Sequence, residues 1–245
     1  MPWEGHLKAL LYGGLWGQAG AGAVLDLLSG KLNPCGKLAE SWPVKYEDTP
    51  SFQYYPSKER NSEYREGIYV GYRYYDTAGV PIRFPFGFGL SYTRFQTESM
   101  GLAVQGTEAT VIEKVTNVGG MSGRETIQVY VEAPQGRLGK PLRQLAAYAK
   151  TEELKPGASE ELILKAELTE LASYDDSGVT GHKSCYVLEA GDYIFYVGTD
   201  VRSAKEVGKV TLSELQVVQT VTEALAPVQA FKRLRPFFFG ENDHA

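Results

Sequence analysis

From residue 95 onward the chain is written in short alternating segments divided by turn signals, and this texture restricts its fold more than any other feature. "ATVIEKVTNVG" alternates and ends in an Asn–Val–Gly–Gly turn. "ETIQVYVEAP" places Ile127, Val129 and Val131 on one face. "ELILKAEL" follows a "KPG" turn, and "YVLEAGDYIFYVGTD" carries a turn at Ala190–Asp192 between alternating residues. Strands this short, at this turn density, predict an all-β sandwich of roughly 110 residues. We place it at 95–213, with 214–245 as a linker and tail.

The first 94 residues have another texture, rich in glycine and tyrosine. Ala9 to Tyr12 is a short apolar run stopped by Gly13–Gly14, which predicts a buried strand. Ala23, Val24, Leu27 and Leu28 recur at helical spacing and Gly30 suits the C-terminal cap, so the unit reads strand, glycine-rich turn, helix. Residues 17–22 are not GxGxxG and no GK[ST] is present, which speaks against nucleotide binding. "NPCG" is a turn, and 44–63 is a long polar loop. That loop feeds "EYREGIYVGYRYYD", Glu63 to Asp76. As a strand its core alternates, Ile68, Val70, Tyr72 and Tyr74 on one face and Tyr69, Gly71, Arg73 and Tyr75 on the other, so we expect a strand covered on both sides.

Composition removes several function classes. The chain of 245 residues has a net charge of -5 and a pI near 5.4, which opposes broad attraction to nucleic acid or an anionic membrane surface. No apolar run reaches the ~20 residues of a membrane span. Three histidines show no metal-ligand spacing, and Cys35 and Cys185 form no CxxC pair. The N-terminus has no secretion-signal pattern, so we expect a cytoplasmic protein with reduced thiols. No metal and no cofactor are expected.

Three strings, "ALLYGGLWGQAGAGAVLDLLSGKLNPCGKLAESWP", "YREGIYVGYRYYD" and "FPFGFGLSYTRF", resemble in order and spacing the C-terminal region of family 3 glycoside hydrolases, mostly β-glucosidases. "VTNVG", "QVYVEAP", "LKPG" and "GDYIFYVGTD" look like that family's fibronectin type III-like domain. The resemblance spans about residues 3–235. It implies a partial, flavodoxin-like α/β sandwich at 1–94, followed by an immunoglobulin/fibronectin type III-like all-β sandwich. It also implies a retaining hydrolase of β-linked glucosides or oligosaccharides, whose two carboxylates stand about 5 Å apart. In the family a (β/α)8 barrel supplies the aspartate nucleophile, and the acid/base glutamate lies upstream of the "ALLYGG"-like strand. Neither has a counterpart here, and 245 residues cannot hold a ~250-residue barrel besides these two parts. "LASYDDSGVTGHKSCYVLEAGDYIFYVGTDVRSA" and "TEALAPVQAFKRL" look like the branch in which the barrel follows these domains. On that reading the tail after Ala226 begins a linker, from which "PFFFGENDHA" departs, as a truncation or frameshift would cause.

The expectation is therefore a supporting part of such an enzyme, with no catalytic residue of its own and a barrel in cis or on a neighbouring chain as its partner. The alternatives are a stand-alone carbohydrate- or protein-binding module, or a non-functional gene fragment. Substrate-proximal candidates are Tyr64, Arg65, Glu66 and Trp16. Against them stand plainer readings: Glu66 and Asp76 paired with Arg65 and Arg73, and Trp3, Trp16 and Trp42 buried in the α/β core rather than serving as sugar platforms. Gly87 and Gly89 read as turn glycines, and Asp175–Asp176 as a solvated turn rather than a calcium loop.

Overall fold

The computed structural model describes residues 3–57 and 60–236. Helix α1 (Gly20–Leu28) is followed by β1 (Trp42–Pro43), α2 (Tyr72–Thr77) and β2 (Ile82–Phe84). Ten further strands follow: β3 (Phe95–Gln105), β4 (Glu108–Asn117), β5 (Thr126–Glu132), β6 (Gln144–Lys150), β7 (Ser159–Glu167), β8 (Ser173–Asp175), β9 (Cys185–Leu188), β10 (Gly191–Gly198), β11 (Lys205–Leu212) and β12 (Gln216–Thr220).

The alternation read from the sequence is the pattern that builds the sandwich. A sheet ordered β3-β4-β7 faces one ordered β11-β10-β5-β6, and all pairings are antiparallel. Ala109, Val111 and Val115 of β4, Leu162, Leu164 and Ala166 of β7, and Tyr193, Phe195 and Val197 of β10 point inward at period two. They meet Ile127, Val129 and Val131 of β5 in one core. A small sheet, β12-β9-β8, adjoins them, so one strand lies inside the stretch read as linker, where Gln216–Thr220 pairs with β9.

β5 departs from simple alternation, because Thr126 to Val131 are all buried. Its second face, with Gln128 and Tyr130, is covered by the first part of the chain. Tyr72 and Phe86 pack with Tyr130, Val201 and Ala204 there.

Two expected strands are corrected. Ala9–Tyr12 forms no strand and pairs with none among the described residues. Leu10, Leu11 and Tyr12 remain 40–55% exposed. A strand of this apolar kind needs neighbours on its edges and covers on its faces, and this part of the chain offers none. The second is Ile68–Tyr75, which forms a turn and then α2. Gly67 and Gly71, both at φ +56, break the extension. Tyr69, Tyr72 and Tyr75, three apart, are the buried ones. Of "PFFFGENDHA", everything after Pro236 lies outside the described residues, and so does the departure from a linker expected there.

Candidate functional site

Around Tyr64 the chain makes a tight turn. Arg65 N donates to the Glu63 carbonyl at 2.9 Å and Tyr69 N to that of Glu66 at 2.9 Å. Tyr64 projects outward, 84% exposed. The Arg65 guanidinium pairs with Glu63, not Glu66, and lies 4.6 Å from the Tyr54 ring centroid. Trp16 sits elsewhere, folded against Gly13 and Gly20. A Cβ on either glycine would overlap its side chain, which explains why the turn is glycine-rich. The structure shows no direct contact between Trp16 and the Tyr64–Glu66 turn among the described residues.

An open cleft of about 1070 Å³ runs along the first part of the chain. Leu10, Leu11, Leu27, Trp42 and Phe88 are among the residues that line it, with Arg124 and Glu153 contributed by the sandwich. Tyr12 and Phe84 stand edge-on to Trp42, at 4.9 and 5.8 Å between centroids. The cleft was not foreseen; the signal was there in the density of leucines within the first 32 residues. Burial of the tryptophans is corrected accordingly: Trp3 and Trp16 are 48% and 39% exposed, with no described element covering them, while Trp42 is half-buried.

Several carboxylates are held by partners within the fold. Glu4, on the cleft wall, is bound by Arg83, whose hydrogen bonds hold its carboxyl below the usual range. Asp76 pairs with Arg202 at 2.8 Å rather than with Arg73. Its side chain is 8% exposed, and burial pushes its carboxyl up while Arg202 draws it down. Glu113, also raised by burial, lies inside the sandwich. The carboxyls pushed upward therefore sit in packed interiors and not on the cleft, whose two carboxylates among the described residues are Glu4, held by Arg83, and Glu153 at the rim. Asp175 is a buried anchor and not a solvated one. Its two oxygens accept from the backbone N–H groups of residues 177–180 and from the hydroxyls of Ser177 and Thr180.

A glycine- and tyrosine-rich α/β segment docked on a fibronectin-like β-sandwich defines the class of protein. Residues 1–92 match the glycosyl hydrolase family 3 C-terminal domain and residues 125–201 the fibronectin type III-like domain. The chain belongs to glycosyl hydrolase family 3, as the C-terminal α/β and fibronectin-like portion. A β-glucosidase of Ruminococcus albus is 41% identical over 92% of this chain and 24% of its own length. An exo-α-(1→6)-L-arabinopyranosidase of Bifidobacterium breve is 35% identical over 91% of this chain and 29% of its own. The crystal structure of a β-glucosidase from Paenibacillus barengoltzii superposes with a TM-score of 0.86 at 50% identity, covering 91% of this chain and 25% of that one. The chain thus spans about a quarter of the length of these relatives.

Proposed function

We propose that this chain is the non-catalytic part of a retaining β-glucoside hydrolase, shaping and supporting an active site whose nucleophile and acid lie on other polypeptide segments. The observation that carries this reading is the cleft, mostly apolar and lined by both parts of the chain, with its inner carboxylate Glu4 neutralised by Arg83 and Glu153 left at the rim. A cleft of this character suits packing against further protein better than it suits sugar chemistry, which requires an acid kept protonated near neutrality. The partner is a barrel-bearing segment, in cis or on a neighbouring chain, and the substrate a β-linked glucoside of the assembled enzyme. Relatives over this same segment include both β-glucosidases and an arabinopyranosidase, so we place the choice of sugar outside it. Tyr64, Arg65 and Glu66, on their exposed turn, remain the residues we would set nearest the substrate, with Trp16 as a packing residue.

The test is turnover of an aryl β-glucoside by the purified 245-residue chain. No release above the uncatalysed rate is expected. Sustained hydrolysis that survives replacement of Glu4, Glu63, Glu66 and Asp76 by their amides would show a catalytic pair elsewhere in the chain, and loss on one such replacement would show it among these; either outcome overturns the proposal.

A further inference from the structure

The first 94 residues contribute only Tyr69, Tyr72 and Tyr75 to the buried apolar set of the described chain. Such a segment has no core of its own, and conformational entropy opposes its ordering. Yet residues 33–43 and 69–93 make a dense set of specific bonds to the sandwich. The Gln128 amide donates to the carbonyls of Gly87 (3.3 Å) and Thr199 (2.7 Å), and its oxygen accepts from Tyr130 OH at 2.5 Å. Leu145 N donates to Tyr72 OH at 2.9 Å and Leu142 N to Thr77 Oγ1 at 2.8 Å. Val201 N donates to the Phe86 carbonyl at 3.1 Å. Lys37 pairs with Glu125 at 2.7 Å, both side chains only 12–13% exposed, and Asn33 Nδ2 donates to the Ser122 carbonyl at 3.0 Å. These bonds engage β6, the β4–β5, β5–β6 and β10–β11 loops, and side chains on the outer face of β5, where a sandwich would ordinarily show solvent.

Residues 3–32 contrast sharply. Their links outside themselves run to Arg83, Trp42 and Tyr92, and among the described residues they make no hydrogen bond to the sandwich.

We propose that the outer face of β5, with the β5–β6 and β10–β11 loops, is an intramolecular binding surface whose ligand is the glycosidase segment 33–43 and 69–93, so that the fibronectin-like domain is the template on which that segment acquires its shape. Gln128, Tyr130 and Arg202 are its specifying residues on the sandwich side, and Gly87, Tyr72 and Asp76 their counterparts. Residues 3–32 lie outside the template and depend on whatever fills the cleft. This rests on the geometry of the junction and not on the proposed activity.

Hydrogen exchange on the full chain tests it without a substrate. The amides of Leu38, Phe86 and Gly87 are expected to exchange at least tenfold more slowly than those of residues 9–16, and to lose protection at the same urea concentration as β5. A Gln128→Ala/Tyr72→Phe variant is expected to speed exchange at 33–43 and 69–88 about tenfold while leaving β4 and β7 unchanged. Fast exchange of 33–43 and 69–93 in the unmodified chain, or an earlier urea midpoint for them than for β5, would overturn the template, as would a folded variant with unaltered exchange. Should that variant not fold, the two measurements on the unmodified chain decide alone.

Discussion

Asp175 and Glu113 are both carboxylates removed from water, and they sit on opposite sides of the pH ledger. Burial alone would raise both. At Asp175 the bonds from Thr180, Gly178 and Ser177 outweigh burial and hold the carboxyl at about 2. Its folded value lies below its unfolded one, so its contribution is present above pH ~4 and is lost as pH falls through about 2, amounting to about 2 kcal/mol. At Glu113 burial prevails over the bonds from Ser99 and Thr97, and Oε2 has no partner among the described residues. With its folded value raised, stability is greatest below the unfolded value and declines as pH rises through the folded one. Asp175→Asn is therefore expected to lower the urea midpoint at pH 7 and to flatten the loss of stability between pH 4 and 2. Glu113→Gln is expected to leave stability at pH 7 unchanged or higher, because an amide is not charged in that interior. Neither role is legible in the sequence: "SYDDSG" announces a turn, but which aspartate faces inward is settled by the β8–β9 pairing of Asp175 with Cys185.

At the scale of elements, the legible parts were those governed by period. The inward sets of β4, β7 and β10 follow from alternation alone, and α1 from its apolar spacing and from Gly30, which sits at φ +73 just past the helix. α2 was hidden because alternation over Ile68–Tyr75 is satisfied equally well by tyrosines spaced in threes, and only the docking surface on β5 and β6 chooses between them. Gly87 shows how tight that docking is. It holds φ +85, and a Cβ there would stand 2.2 Å from the Gln128 amide oxygen. Gly87→Ala combines a left-handed backbone with displacement of that amide, and a loss of about 1–3 kcal/mol is expected in urea unfolding. An alanine at Gly22, where nothing lies within 4 Å and the backbone is helical, is the control, expected to be neutral or slightly stabilising.

Taken whole, the molecule is finished on one side and open on the other. α1 buries only Gly20, while Leu25 and Leu28 are 67% and 69% exposed. A helix apolar all round belongs in an interior. In isolation this side is expected to bind a dye that reports exposed apolar surface, and the chain to self-associate as its concentration rises. Leu25→Lys/Leu28→Lys is expected to shift sedimentation toward monomer without moving the thermal midpoint, since neither side chain contributes to the sandwich core. The same openness explains why a strand was expected at Ala9–Tyr12 and not formed. The residues carry the pattern of an interior strand, and no described element pairs with them or covers them.

The short ladder of β1 on β2 has an evolutionary consequence. Trp42 opposite Phe84 and Pro43 opposite Ile82 clasp the two ends of everything from 44 to 81. With its mouth pinned and Tyr72, Asp76 and Thr77 held on the sandwich, the part of the excursion before Tyr69 behaves as a cassette. Doubling the length of its free portion would add only about 0.6 kcal/mol of closure entropy. Descendants of this segment can therefore trade, lengthen or prune the tyrosine-bearing turn at Tyr64 while the clasp, and the frame behind it, stays as it is.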